Sequence, residues 1–211
     1  MFDSLLDLAF TIAGKIGEAI ADSGVTEDGV ASLDALADSV TRVATDFKIP
    51  VPEVYAAPGS YGEHLTNDPT TLLDDKIGAD PRVVEMINFK YDHPHAYDVV
   101  TAHEMTHAQI GASGLRDHLT AKAEEVICDT KAGLYAGTHN LPREVFYGEI
   151  GGSPADSEHP AGAERSVFFE KAYDLARNYP FHEFRPITSD ISQLDKINGL
   201  FTDVLKTYNR A

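Results

Sequence analysis

The chain has 211 residues, 43% of them hydrophobic, with 34 acidic against 17 basic side chains and a formal net charge of -17. That apolar fraction suits a packed core and not a disordered chain. The sign of the charge opposes a phosphate backbone or an anionic membrane surface, so no nucleic-acid partner is expected.

The N-terminal stretch places Leu5, Leu6, Leu8, Ala9, Ile12, Ala13, Ile16 and Ile20 at helical spacing. Asp3 and Asp7 stand where a signal peptide carries positive charge, and Lys15 and Glu18 break the run before it reaches spanning length. A soluble amphipathic helix is expected, with a membrane-surface helix as the alternative and no transmembrane segment. Cys128 is the only cysteine, so the sequence offers no internal disulfide. This fits a reducing compartment, and a cytoplasmic location is expected.

A second helix is expected over Ser32 to Phe47, capped by Ser32, with Leu33, Leu36, Ala37, Val40, Val43, Ala44 and Phe47 as its stripe. Pro50 and Pro52 then argue for an edge or loop-bound strand at Glu53 to Ala57. Residues 58 to 81 read as loop, with a short turn of helix around Leu72 to Ile77. "RVVEMINFKY" favours strand by its β-branched and aromatic content. Pro94 signals the start of a helix over Ala96 to Gln109, which "GASG" ends. Further helices are expected at Thr120 to Tyr135, Gly162 to Asn178 and Ser192 to Tyr208, with residues 137 to 162 mostly loop. No linker marks a boundary. The reading is a single α+β domain over 1–211, predominantly helical with a small sheet. Residues 1–47 form a helical extension and 96–175 the core of a metal site.

That site starts from "TAHEMTHAQ", residues 101 to 109. On a helix, i and i+4 lie on one face, so His103 and His107 direct both imidazoles at one point with Glu104 beside them. Two histidines and a glutamate in this order suit a zinc ion with an adjacent general base. A catalytic zinc takes a third protein ligand, and "AKAEEVICDTKAGLYAG" offers one. Glu125 lies eighteen residues after His107, far enough for a glycine turn and a returning helix. Asp129 follows one helical turn later on the same face, placed to fix the tautomer of a ligand histidine. Glu124 projects about 100° away. Glu124, His118 and Cys128 remain rival ligands, with Cys128 otherwise a small packing residue. Ala132, Gly133 and Ala136 would let this helix approach another closely, as two helices converging on one ion must.

His103-Glu104-x-x-His107 followed by Glu125-x-x-x-Asp129 resembles the gluzincin metallopeptidases. The stretch "EHPAGAERSVFF", with His159-Pro160 and Arg165 five residues after the proline, is similar to a segment of the CAAX-prenyl-endopeptidase superfamily. "CDTKAGLYAG" and the later "HPAGAERSVFF" also look like bacterial neutral zinc metallopeptidases. The resemblance covers about residues 96 to 175 and implies a zincin-like domain. It implies that His103, His107 and Glu125 hold Zn2+, that Glu104 is the base and that Asp129 supports the site. It also implies that His159 and Arg165 sit near the cleft. The membrane-bound relatives carry transmembrane helices with no counterpart here, and the interval from His107 to Glu125 is short for either group.

The activity expected is that of a zinc endopeptidase acting on peptide or protein, with Glu104 handling the proton of the attacking water. His159 or Tyr147 would donate to the oxyanion, and Arg165 would anchor a loop through a carboxylate. Two alternatives stand beside this: a non-catalytic zinc-binding protein on the same scaffold, and a zinc-dependent hydrolase of a non-peptide amide. Glu104 argues against the first, because a purely structural site has no use for it.

Overall fold

The computed structural model describes residues 33–65, 76–150, 154–178 and 199–209, all within one compact unit, Leu33–Ala211. The expected helix over Leu5 to Ile20 and the Ser32 cap lie outside the described residues.

Helix α1, Asp34–Phe47, buries Leu36, Val40, Val43, Ala44 and Phe47 from one stripe. Burial of each larger side chain contributes about 1.5–3 kcal/mol. Its polar edge is tied to the N-terminal turn of α3, Asp98–Ala112, which carries the two candidate histidines. Arg42 grips the Asp98 carboxylate with two hydrogen bonds of 2.8 and 2.9 Å, and the Ser39 hydroxyl donates to the same group at 2.6 Å. The part of the N-terminal extension that is described is thus packed into the core, against the helix that carries the two candidate histidines.

Three short strands form one sheet in the order β1-β3-β2: Glu53–Ala56, Glu63–Leu65 and Lys76–Ala79 in chain order. β1 runs parallel to β3, with Tyr55 opposite Gly78, and β2 runs antiparallel to it, with His64 opposite Ile77. The loop expected over 58 to 81 therefore holds two strands, and Ile77 is in a strand and not in a turn of helix. These strands are three and four residues long, so their pairing depends on partners distant in sequence, which local composition does not reveal.

"RVVEMINFKY" is also a departure: Pro81–Lys90 is helix α2. Asp80 caps it by accepting the Arg82 N–H at 3.0 Å, and Pro81 occupies the first turn, where no N–H is needed. Val84 and Ile87, three residues apart, are its buried contacts. The cap and the helical spacing override the strand preference of the β-branched residues. "DP" ahead of an apolar run was the available signal.

After α3 comes a single 3₁₀ turn, Leu115–His118, which opens at Gly114 with φ of 71°. Helix α4, Ala121–His139, follows, capped by the Thr120 side chain and closed by Asn140 at φ of 56°. It runs four residues further than expected, and the later loop contains a π-helical turn, Phe146–Ile150. Helix α5 spans Gly162–Asn178, matching the expected bounds. Of the expected last helix, Leu200–Tyr208 is described as α6.

α4 packs most extensively on α5. A Cβ at Gly133 would fall 2.5 Å from the Phe169 carbonyl oxygen, and one at Gly137 would fall 2.4 Å from that of Tyr173. Gly133 and Gly137 thus bring α4 close against α5, the helix carrying Arg165, so the close approach at Gly133 is made to α5. The described architecture is predominantly helical with one small sheet. No helix among the described residues is long and apolar enough to cross a membrane.

Candidate metal centre

α3 and α4 meet with their functional side chains converging. His103 Nε2 and His107 Nε2 are 3.2 Å apart. Glu125 of α4 lies across them, with Oε1 at 3.2 Å from His107 Nε2 and Oε2 at 3.5 Å from His103 Nε2. Zinc bonds of about 2.0–2.1 Å imply a tetrahedral edge of about 3.3–3.4 Å between ligand atoms. The separation of the two imidazole nitrogens is close to that edge, and one carboxylate oxygen of Glu125 faces each histidine, so the three residues could hold a metal ion between them. They are the group able to hold a metal ion among the described residues. Glu124, His118 and Cys128 are outside it. His118 is exposed, and its main-chain carbonyl accepts from Asn209. Cys128 is fully buried beside His107, its thiol pushed up to about 12 by burial.

The far nitrogens of both imidazoles face carboxylates. His103 Nδ1 is 3.1 Å from Asp129 Oδ1, close but not aligned as a hydrogen bond. Asp129 is fully buried and is held by Arg165 through Nε at 2.7 Å and Nη2 at 2.8 Å. Arg165 Nη2 also reaches Glu125 Oε2 at 3.2 Å. Arg165 therefore locks α5 to the two acids of α4, where the sequence reading had it anchoring a loop. His107 Nδ1 has its own partner, Glu124 Oε1 at 2.8 Å, which is gripped in turn by Arg116. Glu124 is off the ligand face, as its position on the helical wheel requires, yet it reaches the rear of His107. Arg116 and this role for Glu124 were not foreseen. The cue was "EE", since of two adjacent helical acids one can face the ion and the other a ligand's flank.

Burial opposes charge on His103, but the Asp129 and Glu125 carboxylates outweigh it and raise the imidazole to about 9. His107 is also raised well above its ordinary value. Burial opposes this, and the adjoining Cys128 sulfur and the Glu124 and Glu125 carboxylates overcome it. Glu125 is held far below the carboxylate range, its burial outweighed by the two imidazoles. The pocket thus draws positive charge to the point where three ligand atoms converge.

The group opens into a cleft of about 760 Å³ whose lining includes the β2 residues Glu63, His64 and Leu65, together with Val100, Glu104, Arg116, Ile150 and His159. Glu104 lines it with a carboxylate that makes no hydrogen bond or ion pair to the described residues. β2 is an edge strand, anchored over α3 where the Tyr97 hydroxyl donates to the Tyr61 carbonyl. A Cβ at Gly62 would lie 2.9 Å from Val100 Cγ1 and 3.2 Å from Glu104 Cγ, so strand and helix touch beside the expected base.

His159 also lines the cleft, with Nε2 3.7 Å from Glu125 Oε2. Asp156 holds it, accepting from the His159 main-chain N–H at 2.6 Å and from Nδ1 at 2.9 Å. Tyr147 turns elsewhere: its hydroxyl bonds Glu170, and it is not part of the cleft wall. Compared with protein-family models, curated proteins and solved structures, the chain matches none.

Proposed function

We propose that the chain is a zinc-dependent endopeptidase of gluzincin type, with His103, His107 and Glu125 as the metal ligands. The observation that supports this most is the convergence of His103, His107 and Glu125 from two helices, with one ligand atom of each lying within 4.8 Å of the others, in the lining of an open cleft. Zinc held there supplies Lewis acidity, polarising a carbonyl and acidifying an adjacent water. Glu104 makes no hydrogen bond or ion pair among the described residues and lies one residue from a proposed ligand, so it takes the proton as the water oxygen bonds to the carbonyl carbon. It then delivers that proton to the amine nitrogen as the C–N bond breaks. His159, oriented by Asp156, stabilises the carbonyl oxygen as its charge develops, acting as an imidazolium with Nδ1–H on Asp156 and Nε2–H on that oxygen. A peptide is the substrate proposed because the cleft is open and long enough to be lined from β2 across α3 to His159, so that an extended chain would cross the candidate metal ligands.

The test combines metal content with turnover. Protein loaded with zinc and desalted retains close to one zinc per chain, cleaves casein, stops on chelation and recovers with one equivalent of zinc. A chain that takes up no zinc at micromolar concentration, or one that holds zinc but cleaves no unstructured polypeptide, overturns the proposal.

A further inference from the structure

Each candidate ligand histidine is backed by a carboxylate, and each carboxylate is backed by an arginine. Behind His103 stand Asp129 and Arg165, with side chains 0% and 3% exposed. Behind His107 stand Glu124 and Arg116, with side chains 12% and 40% exposed. The first pair belongs to the motif that suggested the site, but the second does not. Its geometry is at least as well formed: Glu124 Oε1 is 2.8 Å from His107 Nδ1 and accepts from Arg116 Nη2 at 2.8 Å. Arg116 Nε adds 3.1 and 3.2 Å contacts to the two carboxylate oxygens. Arg116 Nη2 also bonds the His107 main-chain carbonyl at 3.2 Å.

We propose that Glu124 and Arg116 are positioning residues that orient His107 and set its strength as a metal ligand. The argument rests on the metal-site reading above. A neutral imidazole that gives its Nδ1 proton to Glu124 keeps the Nε2 lone pair for the cation, and the carboxylate makes that lone pair more basic. Glu124 is fixed by Arg116 before any cation arrives, because Arg116 is itself fixed to the last turns of α3 through the His107 carbonyl. One guanidinium therefore joins the 3₁₀ turn, α3 and the first turn of α4 around a single ring. Arg116 and Arg165 both line the cleft, but Arg116 is 40% exposed there, whereas Arg165 and Asp129 are buried.

The experiment compares wild type, Glu124→Gln, Arg116→Gln and the double variant by zinc competition with a chromogenic chelator, and by the visible spectrum of the cobalt form. Glu124→Gln is expected to weaken zinc binding about 10–100-fold, the usual cost of losing such a partner. Arg116→Gln weakens it less, and the double variant no further than Glu124→Gln alone, because both act through one ring. The cobalt bands shift in Glu124→Gln, a change that simple loss of packing would not produce. Glu124→Asp keeps the charge but withdraws it by one methylene, and is expected to fall between. Wild-type zinc affinity in Glu124→Gln with an unshifted cobalt spectrum sinks the relay while leaving the metal site standing. Additive losses in the double variant also sink it. A wild-type chain that does not bind zinc removes both proposals together.

Discussion

His103 carries a consequence for pH that can be worked out in sign. Its imidazole is raised to about 9 in the metal-free chain, with burial overcome by Asp129 and Glu125, so it holds a proton at neutral pH. A folded value above the unfolded one means that this group stabilises the metal-free fold fully below about 6.5, the ordinary histidine value. That contribution is lost as pH rises through 9. Metal binding runs the other way, because the cation must displace the proton. Apparent zinc affinity, measured by chelator competition in matched buffers, is expected to rise between pH 7 and 9, about tenfold per unit for the His103 proton and more steeply because His107 must also give one up. Affinity flat across that window would contradict the assignment of His103. Glu125 was the donor sought on a returning helix, and the convergence of the two candidate histidines was legible because i and i+4 on a helix is a local rule. Arg116 was not, because its role arises only when a 3₁₀ turn folds it back across α4.

Among the elements, the helices around the site were readable from stripes and caps, whereas the sheet was not. β2 is only Glu63–Leu65, too short for alternation to register, and β3 lies beyond a polar stretch that reads as loop. α2 was misread because its β-branched residues outweighed the Asp80 cap and Pro81. The contact between β2 and α3 is therefore something only the fold supplies, and it makes a prediction. Gly62→Ala forces a methyl group against Val100 and Glu104, whose nearest side-chain atoms lie at 2.9 and 3.2 Å from the new carbon. The side chains must give way, and a base displaced by a fraction of an ångström loses alignment with the bond it serves. Peptidase assays on this variant are expected to show kcat reduced severalfold or more, with zinc content kept and KM less affected. Unchanged kcat would show that Glu104 is not held by the strand.

At the scale of the whole molecule, the described fold holds α3 from both sides. α1 fastens its first turn through Asp98, and α4, locked to α5 by Arg165 and by the close approach at Gly133 and Gly137, presents Glu125 to its middle. The chain carries a net charge of -17, and the candidate ligands stand on helices packed into the core, which is what a site needs to hold its ligands within tenths of an ångström. Charge and rigidity explain how a metal could be bound; they do not by themselves make a catalyst. In the proposed mechanism that depends on Glu104, which lies outside the candidate ligand group. The most direct measurement is therefore casein hydrolysis by wild type and Glu104→Gln at equal zinc occupancy. Glutamine keeps the size and helix compatibility of glutamate but cannot take the proton, so the variant is expected to retain its zinc and lose at least about 100-fold in turnover. Full activity in Glu104→Gln, with zinc content matched to wild type, would contradict the account.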